Sequence, residues 1–382
     1  MTTRRPTFPS AIGEELELFL VTAPGLESVL EEEAAELGFT APERQPGGVT
    51  IRGDWADVMR ANLFCRTASR VLVRLARFPA LHPAQLDKRA RKVPWGRFLP
   101  RGVAVRVDAE CRASRIYHKG AAAERVARAI TDATGAAISR DAEIRVLVRI
   151  ERNLCTLSID TSGSPLHLRG HKHAVAKAPM RENLAAAFLR MCGYRGDEPL
   201  VDPMCGSGTF VIEAAEMAAG LAPGRSRRFA FEALVPHDPD AWKAMKDTTA
   251  DRPHEALPPI FGADRDPGAV RAAAENARRA GVAGSVAFRN ASIAALQPPS
   301  DQPGLVIVNP PYGSRIGNRD ALFGLYASFG RIMRERFSGW RVGLVTSQPK
   351  LAAATGLDLT TASAPIDHGG IAIRLHVCGE VR

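Results

Sequence analysis

Apolar positions along the chain fall into two rhythms that take turns, one of period two and one of helical period. Glu15 to Thr22 starts as an alternation and becomes continuously apolar, which predicts a strand. Leu26, Val29, Leu30, Ala34 and Leu37 then recur at helical spacing, and Gly38 closes that helix as a C-terminal cap does. Gly48 to Ile51 predicts a second strand, and Asp54 is placed to N-cap a helix running through Phe64. Together these make a small α+β domain over residues 1–60. Beyond it, Val71, Val73 and Leu75 put one apolar face on a strand whose other face presents Arg74 beside Arg70. A helix over 82–92, a strand through Val103, Val105 and Val107, and a helix from Ala121 to Thr134 capped by Gly135 follow. Ile144 to Ile150 and Leu154 to Ile159 read as a hairpin through Glu151, Arg152 and Asn153, and close a second module at 61–162.

Ser162-Gly163-Ser164-Pro165 opens a basic connector, residues 163–178. The remainder, 179–382, alternates regularly. Pro179 starts a helix with Met180, Leu184, Phe188 and Met191 along its stripe and Gly193 as its stop. Strands are predicted at 199–202, 259–264, 285–288, 305–308 and 343–346, with helices at 210–219, 267–280 (Asp266 as N-cap) and 322–337 between them. Strands and helices in alternation make a parallel, doubly wound sheet, so the fold class is α/β behind an α+β N-terminal region. Residues 221–258, rich in Pro and Arg, interrupt the alternation and leave His237 and Trp242 without a role.

Composition narrows the field. With 45% hydrophobic and 24% charged residues the 382-residue chain is ordinary globular protein, long enough for two or three domains. No apolar run approaches the eighteen or so residues that cross a bilayer, and Met1 to Pro6 lacks an apolar signal core, so the expected location is cytoplasmic. The six cysteines are scattered singly, as free thiols are, and His171 with His173 lacks a third metal ligand, so no metal is expected. The net charge of +10 favours a polyanionic partner. It is concentrated: seventeen Lys and Arg stand against four acids between Arg60 and Arg128, whereas the first forty-three residues carry two Arg against nine Glu. Arg70, Arg74, Arg112, Arg115 and Lys119 of that module, with Arg169 and Lys172 of the connector, are the candidate contacts to such a polyanion; a merely solvated charged face is the plain alternative.

Two stretches carry chemistry. Asp202-Pro203-Met204-Cys205-Gly206-Ser207-Gly208-Thr209 lies between a strand and a helix, the layout in which glycines let backbone N–H groups approach a ligand at a helix N-terminus. Its spacing is not Gly-x-Gly-x-x-Gly and no Gly-Lys-Ser/Thr follows, which disfavours dinucleotides and triphosphates and makes a dehydrogenase a distant reading; a cofactor with an amino-acid carboxylate fits better. Asp264, at the end of the next strand, is placed to accept ribose hydroxyls, and Cys205 inside the loop faces a cofactor rather than a substrate. Asn309-Pro310-Pro311-Tyr312 follows the apolar run 305–308 and leads into Gly313. Two prolines leave a loop of carbonyl acceptors with almost no donors. Such a loop accepts both N–H groups of an exocyclic nucleobase amine through Asn309 and the Pro310 carbonyl, while Tyr312 offers a ring for the flipped base. A turn that merely carries two prolines is the bland alternative.

Asp202 to Gly208, Gly262-Ala263-Asp264 and Asn309-Pro310-Pro311-Tyr312, in this order, resemble class I S-adenosylmethionine-dependent amino-methyltransferases. The N-terminal half resembles a ferredoxin-like domain followed by a THUMP domain, in Gly25-Leu26-Glu27 and in Ala61 to Arg70, and Leu168-Arg169-Gly170 with Met180 to Ala187 resembles the linker and first helix of the same family. The resemblance spans nearly the whole chain and is to bacterial THUMP methyltransferases of the large-subunit ribosomal RNA guanine-N2 branch, without the second methyltransferase domain that some relatives carry. It implies a Rossmann-like catalytic domain at 179–382, a ferredoxin-like domain at 1–60 and an RNA-binding THUMP domain at 61–162. It further implies S-adenosylmethionine as cofactor, held by Asp202, Pro203, Cys205, Gly206, Ser207, Gly208, Thr209, Asp264, Ser292 and Asn309, with Asn309, Pro310 and Tyr312 at the reacting amine and 23S ribosomal RNA as substrate. One position departs: where the family carries an acid against the adenine, this chain has Ser292, so adenine recognition falls to Ser292, Asn290 or backbone groups. An adenine-N6 methyltransferase on DNA or RNA is the first rival, and an RNA-binding ribosome-assembly factor with a decayed site the second.

Overall fold

The computed structural model describes residues 15–172, 180–248, 257–312 and 319–382; the expected helix start at Pro179, His173 and Gly313 fall outside them. The chain divides into two compact units. One comprises Met1–Thr22, Leu30–Leu166 and Arg227–Thr248, and the other Ala23–Val29, His167–Ser226 and Thr249–Arg382.

The first unit contains β1 (Leu16–Val21), most of α1 (Glu27–Glu36), β2 (Glu43–Gln45), β3 (Gly48–Gly53), α2 (Trp55–Phe64), β4 (Arg70–Pro79), α3 (Pro83–Ala90), β5 (Ala104–Arg112), α4 (Lys119–Thr134), β6 (Ala137–Ile138), β7 (Ile144–Glu151) and β8 (Leu154–Asp160). Their strands form one continuous sheet in the order β2-β3-β1-β4-β8-β7-β5-β6. β4 joins its two halves, pairing with β1 on one side and with β8 on the other, and a bulge between Arg74 and Ala76 lets the long strand keep both partners. The expected Asp54 cap is present as a full capping box: Asp54 accepts from the Ala56 and Asp57 N–H groups, and Asp57 accepts from the Asp54 N–H. Gly135, at φ 72°, ends α4 in the left-handed conformation a glycine adopts without strain. The 152–153 hairpin turn also forms, with Arg152 and Asn153 both at positive φ.

The second unit runs through α5 (Glu182–Met191), β9 (Leu200–Asp202) and α6 (Thr209–Ala219). After α7 (Pro239–Asp247), which belongs to the first unit, come β10 (Ile260–Asp264), α8 (Pro267–Ala280), β11 (Val286–Asn290), β12 (Leu305–Val308), α9 (Arg319–Arg336), β13 (Arg341–Thr346), α10 (Pro349–Ala354), β14 (Thr360–Thr361), β15 (Ile366–His368) and β16 (Ile371–Cys378). The sheet order is β11-β10-β9-β12-β13-β16-β14, with β15 pairing onto β16. Strands β9 to β13 are parallel, as the alternation predicts, while β16 enters antiparallel against β13, so the sheet is mixed. Both faces of the parallel part are covered. Ile307 packs with Phe188, Phe210 and Val211, while Val306 and Val308 pack with Tyr326, Phe329 and Met333 on the opposite side, which is why 305–308 reads as an unbroken apolar run.

The interruption at 221–258 now has a structural role. Phe229 and Phe231 stack with centroids 5.4 Å apart, Trp242 of α7 meets both edge-on, and the Phe231 N–H donates to the Thr161 carbonyl at 3.0 Å. Arg227 donates to the carbonyls of Ser162, Ser164 and Pro165. Within the first unit, therefore, this segment satisfies the backbone of the chain that leaves β8.

Candidate active site

The parallel strands set the site by register. Leu200 stands opposite both Ile260 and Leu305, so Asp202, Gly262 and Ile307 lie level across the three neighbouring strands. Asp264 and Asn309 each lie two residues further on, flanking the loop that follows β9. With strands about 4.8 Å apart, the two are separated by roughly 10 Å across the C-terminal edge, where the strand order reverses and doubly wound sheets bind ligands.

The loop between them is tightly specified. Gly206 and Gly208 have φ of 53° and 86°, and a Cβ on Gly208 would lie 3.0 Å from the Ala273 Cβ of α8. The Cys205 N–H donates to the Ala263 carbonyl (2.9 Å), and Asn276 Nδ2 donates to the Ser207 carbonyl (3.1 Å). Asp264 clamps the loop: Oδ2 accepts the Gly206 N–H and Oδ1 the Asp266 N–H, both at 2.9 Å, and each oxygen keeps lone-pair capacity for a ligand hydroxyl. Asp266 caps α8 through the Gly268 N–H, as expected. Asn290 braces the same corner, its Nδ2 donating to the Asp264 carbonyl, while Ser292 is exposed and its hydroxyl makes no hydrogen bond among the described residues. Asp202 is buried, accepts only the Met204 N–H, and stands near Asp264; burial, more than that neighbour, raises its pKa to about 8, so its carboxyl is mostly protonated at neutrality. Burial likewise pushes the Cys205 thiol far up, which removes it as a nucleophile.

At the end of β12, Asn309 Oδ1 is shielded from solvent yet has no hydrogen-bond partner among the described residues. A shielded amide oxygen of this kind has capacity to accept a hydrogen bond from a donor placed at the strand end. The adjoining turn is held from below: buried Tyr326 of α9 places its hydroxyl 3.4 Å from the Pro311 carbonyl and 3.3 Å from Thr346 Oγ1. Tyr312 is half-buried and packs at the border of the two apolar layers. Tyr326, absent from the sequence reading, looks like one more apolar position of α9 until the fold brings it under the loop.

The charges of Arg169 and Lys172, in the described part of the connector, are spent internally. Arg169 and Glu213 pair at 3.4 Å with both side chains 1% exposed. Lys172 Nζ donates to Thr209 Oγ1 (2.8 Å) and to the Met180 carbonyl, and pairs with Glu182 at 3.4 Å. His171, whose pKa burial lowers so that it is neutral at pH 7, lies 3.8 Å from Glu216. These residues fasten the connector onto α6 and the cofactor loop, and they are too deep to present charge to RNA. In the first unit, Arg70 pairs with buried Asp160, and Arg74 pairs with Glu17, its cross-strand neighbour, at 2.6 Å while lying over the Phe19 ring. Arg112 and Arg115 are exposed, and Lys119 makes an exposed pair with Glu110.

A mixed α/β sheet with a glycine loop after its first parallel strand, an acid after the second and Asn-Pro-Pro-Tyr after the fourth defines a class I methyltransferase domain. Residues 169–373 match the RMKL-like methyltransferase domain, 17–72 the RlmL ferredoxin-like domain and 83–160 the THUMP domain. The chain is 37% identical over 363 residues to ribosomal RNA large subunit methyltransferase K/L of Chromohalobacter salexigens, covering 90% of this chain and 50% of that protein. It is 39% identical over 359 residues to the protein of that description from Syntrophotalea carbinolica, covering 89% and 50%. A putative RNA methyltransferase of Synechocystis is 32% identical over 362 residues, covering 92% of this chain and 94% of that one. The chain thus spans about half the length of the K/L relatives it matches. Among solved structures, a putative methyltransferase complexed with S-adenosylhomocysteine aligns at TM-score 0.86 and 26% identity, over 97% of this chain and 100% of that one. A Listeria monocytogenes protein described as a predicted N6-adenine-specific DNA methylase aligns at 0.84 and 28%, over 95% and 96%. The chain belongs to the RMKL-like methyltransferase family, with ferredoxin-like and THUMP domains ahead of the catalytic one, and its cofactor is S-adenosylmethionine.

Proposed function

We propose that this protein methylates the exocyclic N2 amine of a guanine in structured RNA, with large-subunit ribosomal RNA as the substrate. The observation that carries the reading is the solvent-shielded Asn309 Oδ1, without a partner among the described residues, beside a Pro-Pro turn at the end of β12. A guanine amine supplies two N–H donors, one for Asn309 Oδ1 and one for the Pro310 carbonyl. Held there, its nitrogen lone pair is drawn out of ring conjugation and aimed along one direction. S-adenosylmethionine, when bound, would supply an electrophilic methyl group whose bond to the sulfonium breaks as the nitrogen takes it, with the neutral thioether as leaving group. Asp264 takes the ribose hydroxyls with its spare lone pairs, the Gly206 to Gly208 loop admits the methionine portion, and Tyr312 stacks on the flipped base. As the nitrogen gains its fourth bond it becomes cationic, and the fixed Asn309 and Pro310 dipoles stabilise that charge. Its proton then leaves to water. Positioning of this kind supplies about 7–11 kcal/mol, so a strong general base is unnecessary. In this reading the cytoplasmic ribosomal RNA is engaged through Arg112, Arg115 and Lys119, while Arg70, Arg74, Arg169 and Lys172 hold the fold.

The same acceptors suit an adenine N6 amine, and the description of the Listeria neighbour makes that the second reading. Methylation of deproteinised large-subunit ribosomal RNA with radiolabelled cofactor, followed by digestion to nucleosides, separates the two. Label in N2-methylguanosine is expected; label in N6-methyladenosine would overturn the guanine assignment.

A further inference from the structure

The most exposed large side chain with aromatic or aliphatic character outside the catalytic unit is Tyr117, at 70%. Its exposure is built, not incidental. Ile116 beside it is 4% exposed and anchors the segment in the core. The loop between β5 and α4 is stitched to the β7–β8 hairpin turn: Ser114 Oγ donates to the Arg112 carbonyl (2.7 Å) and accepts the Asn153 N–H (3.0 Å), Asn153 Oδ1 accepts the Arg115 N–H (2.8 Å), and the Arg152 N–H donates to the Arg112 carbonyl (3.1 Å). Ala113, Arg152 and Asn153 all take positive φ to make this crossing. The His118 ring backs the Tyr117 ring with centroids 4.2 Å apart and planes inclined by 39°. Around it, Arg112, Arg115 and Arg152 are exposed and make no ion pair among the described residues. The positive φ of Arg152 and Asn153 belongs to the two-residue hairpin turn, and that of Ala113 carries the neighbouring loop against it, which holds the Tyr117 ring out in solvent.

We propose that the 112–118 loop is a stacking platform for an unpaired nucleotide of the substrate RNA: Tyr117, backed by His118, takes the base on its open face, and Arg112, Arg115 and Arg152 take the flanking phosphates. Paired bases are stacked on both sides already and cannot use the ring, so the loop reads single-stranded or bulged RNA rather than duplex. This rests on the reading of the chain as an RNA methyltransferase and adds the structural class of RNA its first unit selects. The excess of seventeen Lys and Arg over four acids between Arg60 and Arg128 favours a polyanion, and so RNA, over a protein partner.

The test is fluorescence anisotropy of the full chain with a short unstructured oligoribonucleotide and, separately, with a duplex of the same length, across a salt series. Tyr117→Ala is expected to weaken binding to the unstructured RNA by about fivefold or more, to leave duplex binding unchanged and to leave the salt slope unchanged. Tyr117→Phe retains the affinity. Arg115→Gln is expected to flatten the log–log salt slope by about 0.7. Equal affinity of Tyr117→Ala and the wild type for the unstructured RNA would overturn the platform and leave the loop to a protein contact, and equal losses on both RNAs would overturn the selectivity. If the wild type bound neither RNA, the RNA reading itself would fall, and the platform with it. Melting curves recorded alongside confirm folding of each variant.

Discussion

Asp202 is expected to link cofactor binding to pH. The carboxyl is buried at the end of β9, accepts one N–H from Met204, and has its pKa raised to about 8, first by burial and then by Asp264. At pH 7 the cofactor-free protein therefore keeps Asp202 mostly protonated. A cationic cofactor favours the ionised form, and ionising the group at pH 7 costs about 1.4 kcal/mol for each unit its pKa lies above the pH. Affinity should accordingly climb with pH, by up to about tenfold per unit, and level off above pH 8. The same group makes the free protein less stable as pH rises: its folded pKa exceeds the unfolded one, so its contribution is fully present below about pH 4 and lost as pH climbs through about 8. Titration calorimetry with S-adenosylmethionine between pH 6 and 9, in buffers of different ionisation enthalpy, measures both affinity and proton release. Asp202→Asn should bind with a flatter profile and release fewer protons; the difference between the two proteins isolates the carboxyl from the ligand's own amino group. Identical pH slopes and proton release in wild type and Asp202→Asn would refute the reasoning.

Asp264→Ala removes the proposed ribose acceptor together with the clamp on the Gly206 N–H, and calorimetry should show S-adenosylmethionine affinity falling about tenfold or more. Asp266→Ala removes only the α8 cap, and should cost about 1 kcal/mol in denaturant titration with binding nearly intact. Arg70→Met strips the ion-pair partner from fully buried Asp160, which keeps the Ser162 and Gly163 N–H groups, and should destabilise the protein by about 3 kcal/mol. Because burial already raises the Asp160 pKa, that deficit should shrink as pH falls and the carboxyl takes up a proton; a melting temperature unchanged at pH 8 would refute the pairing.

What the sequence disclosed and what it hid divide by range. The Asp54 capping box, the Gly135 cap, the 152–153 turn and the Asp266 cap are local, each decided by residues within a few positions, and all are legible. The strand ends carrying Asp202, Asp264 and Asn309 are legible too, because a run such as 305–308, apolar on both faces, needs a covered parallel strand. The fates of the cations are not. Arg74 and Arg70 read as a charged face, yet register puts Glu17 opposite Arg74, and Asp160 reaches Arg70 from the far end of the module. Arg169 and Lys172 sit in a segment dense with positive charge, and nothing local announces that Glu213 and Glu182 will bury them. Strand β16 gives no warning either: its antiparallel entry depends on β13 having a free edge, which is a property of the finished sheet. Tyr326 beneath Pro311 is a contact of the same kind.

The alignment of the amine by Asn309 is the centre of the account, and single-turnover methylation of deproteinised large-subunit ribosomal RNA by Asn309→Ala tests it most directly. The expected rate is at least about 100-fold below wild type, as for the loss of one preorganised polar group, with S-adenosylmethionine affinity and melting temperature nearly unchanged. A folded Asn309→Ala protein that methylates at the wild-type rate would contradict it.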